Sequence, residues 1–482
     1  MAPSGENGEK TQAMSEAIKA VSPVPATSRN WSVPSIQADG KPGHDWEYWY
    51  TLIALLFLTG ALVPLLHDLS GTRVEARGDS NPLRLGLAAL LYLIAALLAL
   101  KSIGATVKLL QRNPLVVVLL LLPPVSTLWS VAPDITFRRA AACSLTIVFC
   151  VYLAGRLSPE DMLKRLMFVL LLGGIASIFY SILVPYGVHY DSGNAGSWKG
   201  VFGHKNDLGR VSAIALIVSY FVRPTNPAER LYRFLTIGVF LFLLATSQSR
   251  TNWLIMAGMA GFVPLLSLFR SRRLTLPLRI LLVLSFGIAC IALVVAGMGD
   301  LLAAVGRDET FSGRQSLWEG VIAVVSDRYP ILGAGYGAFF SELGGVRELY
   351  YLVASWGSIP DHAHNGYLNV WADLGMVGLV ALVAFLATTF AHLLRRSIDE
   401  PDRAAWGALC ALMFFFLLNN LSSSVALKHS DIAWVTVLIA SVYARAQMAS
   451  MVHRRLAPRP ISLWREGLRG WPSSVRDDPG NV

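Results

Sequence analysis

Charge is what this sequence has least of. Only 15% of its 482 residues are charged, against 54% apolar ones, where a soluble domain averages about a quarter charged. That deficit excludes an ordinary water-facing globule, because too few polar side chains remain to cover one. Cysteine is scarce as well. Cys143, Cys150, Cys290 and Cys410 all fall inside apolar blocks, without metal spacing or an external disulfide pair. There is no internal repeat of the kind a two-halved transporter carries. Residues 1–48 lack an apolar core beside Met1, so no cleavable signal peptide is expected. Their Ser, Pro, Gly and Ala content predicts a disordered cytoplasmic leader.

What is present is long apolar blocks. From Leu278 to Met298 the sole charge is Arg279, and about 20 such residues suffice to cross hydrocarbon as a helix. The fold class expected is an all-α polytopic membrane protein of about 12 transmembrane helices. The predicted spans are 49–66, 83–100, 115–129, 137–154, 166–184, 208–222, 234–247, 252–269, 279–298, 366–394, 404–421 and 432–446. The parts are then a leader (1–48), nine spans (49–298), a large periplasmic loop (299–365), three further spans (366–446) and a basic cytoplasmic tail (447–482).

The net charge of +10 does not point to nucleic acid. The cations sit in alternate inter-helix loops, such as Lys101, Lys108 and Arg112, or Arg395, Arg396 and Arg403, as membrane lipids and the positive-inside rule require. Both termini are therefore expected on the cytoplasmic side of a bacterial inner membrane. The tail, with Arg454, Arg455, Arg459, Arg465 and Arg469 beside Trp464 and Trp471, fits a basic segment on the inner leaflet, and a solvated tail equally well.

Four outward-facing clusters could carry chemistry. Trp198–Asn206 holds Lys199, His204, Lys205 and Asn206, with Arg210 just beyond. Interfacial anchoring explains Trp and Lys there, but so much positive charge on an outer segment runs against the topology bias and suits an anionic ligand. In the tight turn Ser247–Thr251, Arg250 stands at the membrane boundary. It either grips a phosphate bidentately or snorkels to headgroups. In Asp361-His-Ala-His-Asn-Gly366, a histidine could take a proton from an attacking hydroxyl. The i, i+2 histidines with Asp361 leave a metal poorly specified. Gly313-Arg-Gln-Ser-Leu-Trp318 alone reads as a helix start, and an amphipathic helix is expected near Arg314–Asp327. A loop exceeding sixty residues in an otherwise compact chain usually has a function.

Taken in order, these clusters resemble the O-antigen ligase and polymerase superfamily of bacterial envelope enzymes. His364-Asn365, followed by Gly375 and Gly378, looks like that family's loop-to-helix signature. Gly200–Asn206 and Ser247–Arg250 look like its outer basic motifs. Gly313–Trp318 with Pro330–Gly337 is similar to its large periplasmic loop. The Gly-His-Lys-Asn wording is most similar to the exopolysaccharide polymerase branch.

The resemblance implies a metal-independent, inverting transfer of glycan from undecaprenyl pyrophosphate to an acceptor hydroxyl, with no cofactor. It implies His364 as catalytic base and Arg250 as one pyrophosphate-binding arginine. Where the family often has a second arginine, this sequence has Lys199, with Lys205 and Arg210 behind it. Arg314, His204, Asn206, Asn365 and His362 are supporting candidates. The implied partners are an undecaprenyl-pyrophosphate-linked oligosaccharide, a flippase and a chain-length regulator. The readings that compete are an O-antigen ligase using lipid A–core as acceptor, a lipid-linked sugar flippase or other transporter, and a sensor or scaffold. Transport predicts charges deep in the bilayer, whereas most charges here stand at helix ends.

Overall fold

The computed structural model describes residues 45–70, 81–190, 194–269, 274–297, 311–352, 361–400 and 403–446. Most of the expected leader, the whole basic tail, the last residue of the ninth expected span (298) and parts of the large loop (299–310, 353–360) lie outside the described residues. Those described form helices and connecting turns, with no strand among them. In chain order the helices are α1 (Asp45–Leu58), α2 (Val63–Ser70), α3 (Pro82–Lys101), α4 (Ile103–Gln111), α5 (Pro114–Val125), α6 (Pro133–Arg156), α7 (Pro159–Leu183) and α8 (Lys205–Phe221). They continue with α9 (Pro227–Ser247), α10 (Arg250–Phe269), α11 (Leu276–Gly297), α12 (Phe311–Arg328), α13 (Val346–Leu352), α14 (Gly366–Asp399), α15 (Arg403–Asn419) and α16 (Ile432–Arg445).

Their starts follow from local chemistry. Asn81, Ser158 and Asn226 each precede a proline at the first helical turn, and each side chain accepts a backbone N–H three residues on. The cap satisfies an orphan donor, while proline gives up an N–H that the helix does not use.

Each of the twelve apolar segments expected from the sequence falls on helix. Among the described residues, α3, α6, α7, α9, α10, α11 and α14 are long and apolar enough to cross a membrane; α4 and α5 make an eighth only if the bent pair is one span. Two segments differ from expectation. The first is broken at Gly60, whose φ is 82°, into α1 and α2. Ahead of the third stands a short helix, α4, bent 100° from the following one. The bend falls at Asn113-Pro114, where proline disfavours helical backbone in the residue before it.

Helix α8 is enclosed by α7, α9, α10 and α15, and almost every residue from Leu208 to Ser219 is buried. The large loop is folded onto the bundle. Its expected amphipathic helix is α12, whose Leu317, Val321, Val324 and Val325 form one buried cluster with Ala334, Phe339, Leu349 and Ala372. The segment Pro330–Gly337 is laid into a break in α14 at Gly375 (φ 64°, ψ −167°). There Met376 N donates to Pro330 O at 3.0 Å and Val377 N to Ile331 O at 3.2 Å, while Ala334 N and Gly335 N donate to Ala372 O and Asp373 O at 3.0 and 2.9 Å. Backbone groups freed by the break are thereby satisfied by the loop.

Candidate active site

The basic segment ahead of α8 is pinned from both sides. His189 N donates to Ser197 O at 2.9 Å, Lys199 N to Gly187 O at 2.9 Å, and Trp198 N to Thr246 O at 3.0 Å. The last bond ties the segment to the end of α9. Gly200 and Gly203, with φ of 54° and 81°, turn the chain into α8. His204 caps that helix, its Nδ1 accepting from Asn206 N at 3.1 Å, which places the ring proton on Nε2. Burial pushes the His204 imidazole down to about 4, so it is neutral at physiological pH. Lys199 Nζ lies 3.6 Å from the centre of the Tyr186 ring, a cation–π contact.

The turn before α10 joins the same structure. Ser249 Oγ donates to Asn206 Oδ1 at 2.9 Å, and Asn252 Nδ2 to Asn206 O at 3.1 Å. Asn419 Nδ2, from the end of α15, donates to Asn252 Oδ1 at 3.1 Å. Arg250, which opens α10, is half-buried and makes no hydrogen bond or ion pair among the described residues.

Arg210 is placed differently from the pyrophosphate contact expected of it. It is buried, with Nη2 at 2.9 Å from Asp207 Oδ1 and 3.0 Å from Asp431 Oδ2. Its charge is already answered by two carboxylates. Lys428 Nζ stands 3.9 Å from Asp431. Asp207, Lys428 and Asp431 were absent from the sequence-based candidates. Asp431 is 221 residues from its partner, and nothing in the local sequence marks the pairing.

His364 precedes α14 in a left-handed backbone conformation, φ 51°. Its neighbours hold it there. Ala363 O accepts from Trp318 Nε1 at 2.9 Å, and Ala363 N donates to Asn369 Oδ1 at 3.2 Å. Asn365 caps α14, accepting from Tyr367 N and Leu368 N at 3.0 and 3.2 Å, and Gly366 N donates to Asn420 O at 2.8 Å. Trp318 and Asn365 thus both act on the His364 backbone.

The His364 imidazole is pushed down to about 2, by burial first, then by the charges of His362 and Arg314. His364 feels the charge of His204, and His204 that of His362. The start of α8, the start of α14 and helix α12 therefore face one locality. Burial also lowers Arg314, which makes no hydrogen bond or ion pair among the described residues. Arg250 joins this locality through Ser249 and Asn206. Among the described residues, no three His, Cys, Asp or Glu side chains are grouped to hold a metal.

Arg314 acts on the neutral His364 imidazole, and Arg250 stands on the turn bonded to Asn206, neither with an ion pair among the described residues; such a set suits anion binding and proton abstraction. Residues 235–383 match the family model described as O-Antigen ligase. Among similar proteins, the exopolysaccharide production protein ExoQ of Rhizobium meliloti (strain 1021) is 29% identical over 305 residues, covering 60% of this chain and 68% of that protein. Both likenesses support an ExoQ-like reading within the O-antigen ligase and polymerase family. The family match takes in Arg250, Arg314 and His364, and leaves the basic segment Trp198–Asn206 on its N-terminal side.

Proposed function

We propose that this chain is a bacterial cell-surface polysaccharide polymerase, moving glycan from undecaprenyl pyrophosphate to an acceptor sugar hydroxyl. It works without a metal, inverts the anomeric centre and crosses the inner membrane twelve times, with both termini cytoplasmic and the site periplasmic. The observation that carries this reading is Arg314 acting on His364: a desolvated guanidinium with no anion paired to it among the described residues, near an imidazole kept neutral.

The chemistry follows from those charges. As the acceptor oxygen attacks the anomeric carbon, the bond to pyrophosphate breaks and negative charge grows on the leaving group. Arg250 and Arg314 neutralise it, as preorganised cations in a water-poor site do best. His364 takes the hydroxyl proton. Arg314, expected only to support, becomes the second pyrophosphate arginine. Its planar fork suits phosphate oxygens better than Lys199, whose ammonium already lies over Tyr186. Lys205 remains a peripheral cation, and Arg210 becomes a positioning residue for α8. His204 and Asn206 hold the basic segment, and Asn365 holds His364. A flippase supplying the donor and a chain-length regulator are the proposed partners.

The relative's name favours exopolysaccharide, whereas the family description favours a ligase with lipid A–core as acceptor. The test is a deletion strain complemented with wild type or His364→Ala at matched expression. The polymerase reading expects loss of high-molecular-weight polysaccharide and single repeat units stalled on the lipid carrier. Intact lipid-linked polymer with uncapped lipid A–core would make it a ligase. No change in either pool would defeat both readings.

A further inference from the structure

With φ at 51°, His364 belongs to neither helix nor strand, so regular backbone geometry does not fix where its ring lies. The ring has a neighbour of its own kind. The His362 imidazole lies 4.0 Å away, centroid to centroid, tilted by 40°. His362 is itself anchored, because Asp361 Oδ1 stands 2.5 Å from His362 Nδ1. That bond holds the Nδ1 proton toward the carboxylate and leaves Nε2 as the atom that gains or loses a proton. Both side chains reach solvent, at 36% exposure for His362 and 76% for Asp361, so protons exchange there freely.

We propose that His362, braced by Asp361, is a positioning residue for His364: its ring fixes the plane of the base, and its protonation turns the base off. This rests on the reading of His364 as the base. In the reaction, His364 gains a proton while the acceptor oxygen bonds to the anomeric carbon and the bond to pyrophosphate breaks. The imidazolium so formed meets a neutral, polarisable ring when His362 is unprotonated. When His362 carries its second proton, two like charges are stacked in a partly desolvated place, where repulsion is strong.

The other groups facing this pair are a guanidinium, a neutral imidazole and two carboxylates. Arg314 on α12 is a guanidinium, charged at any working pH. His204, the cap of α8, is held neutral down to about 4, and Asp207 on α8 is ion-paired with Arg210. Asp361 is held below the usual carboxylate range by its bond to His362. A further charge beside His364 would therefore come from His362, the ring stacked on it.

The experiment compares wild type, His362→Phe, His362→Ala and Asp361→Asn in proteoliposomes supplied with lipid-linked repeat units across pH. His362→Phe keeps the ring without the charge. It should stay within about three-fold of wild-type kcat at neutral pH, and hold activity into acid where wild type falls off. His362→Ala should lose about ten-fold in kcat with the donor KM unchanged. Asp361→Asn should move the acidic limb to lower pH, because the protonated ring loses its counter-charge. An acidic limb in His362→Phe identical to wild type, or wild-type kcat in His362→Ala, overturns the proposal.

A second measurement needs no turnover. Diethyl pyrocarbonate modifies neutral imidazole, and mass spectrometry reads its rate at His364. That rate should hold into acid in wild type and fall at higher pH in His362→Phe, because a charged His362 opposes a proton on His364. If His364→Ala still makes polymer, the base assignment fails by itself, and the modification series decides about His362. The same pH dependence in both chains would overturn the coupling. Should His362→Ala misfold, shown by its elution in detergent, His362→Phe and Asp361→Asn decide alone.

Discussion

The carbonyl oxygen of Ile331 occupies the place where a side chain on Gly375 would begin. A Cβ built on Gly375 would stand 2.1 Å from that oxygen, well inside contact distance. The two residues come from different parts of the chain, the large loop and α14, and their backbones interlock as one piece. That interlock sets where the His364 end of α14 sits relative to the membrane-spanning remainder.

Gly375→Ala should therefore fail structurally before it fails chemically. Both the clash and the φ of 64° oppose it, and the loss should reach about 3 kcal/mol or more. Thermal unfolding in detergent checks this. A melting curve equal to wild type would mean that the loop does not depend on the break.

Trp318→Phe is a milder probe of the same support. It removes the bond from Nε1 to Ala363 O, 2.9 Å long, while keeping most of the ring's packing beside the α12 core. A neutral hydrogen bond is worth about 1 kcal/mol net, so stability should change little. Activity should fall by roughly ten-fold, because small displacements of a positioned base are expensive. Matched expression with unchanged kcat would remove Trp318 from any role in holding His364.

Asp431 has two jobs that substitutions can separate. Its Oδ2 pairs with buried Arg210 at 3.0 Å, and its Oδ1 caps α16 by accepting Ala433 N at 2.9 Å. Asp431→Asn keeps a capping oxygen and loses the charge, whereas Asp431→Ala loses both. The alanine variant should be destabilised by about 3 kcal/mol, and the asparagine variant by about 1 kcal/mol less, the worth of a cap. Donor KM should stay at the wild-type value in whatever folds. A donor KM that rises in Asp431→Asn would return Arg210 to the pyrophosphate.

The helices were legible because uninterrupted apolar blocks leave little alternative in a bilayer. Arg250, Arg314 and His364 stood out as candidates because each lies in a short motif whose order is itself a signal. The reason for Gly375 was not, since the obstacle to a side chain there is a carbonyl forty-odd residues away in sequence. Nor was the fate of Arg210 and Lys199. A cation reads the same in sequence whether it awaits a ligand or already lies against a carboxylate or a tyrosine ring. α4 escaped notice because it is only nine residues long, too short to register as a span.

Arg250 and Arg314 should answer to substitution in the same way, if both hold the pyrophosphate. Arg250→Ala and Arg314→Ala should each lower polymerisation by on the order of 100-fold. Lysine at either place should restore part of that, since it supplies the charge but not the planar fork. Initial rates with purified lipid-linked donor check this. Full recovery with lysine would mean that charge alone is used, and wild-type rates in the alanine variants would exclude the residue from the site.

His204 gives a prediction about stability with a definite sign. An ordinary histidine titrates near 6.5, and in the folded protein burial holds His204 at about 4. Between those values the unfolded chain binds a proton at this position that the folded chain does not, so stability rises with pH across the window. Acidification from 6.5 toward 4 therefore removes stability, and below 4 this residue contributes no further loss. His364, held at about 2, extends the same trend to lower pH. His204→Asn should flatten the upper part of the curve, because asparagine does not titrate yet can still offer an oxygen to the backbone N–H of Asn206. Melting temperature measured from pH 7 to pH 4 is the readout. A slope as steep in His204→Asn as in wild type would place the acid sensitivity elsewhere, with His364 as the next residue to change.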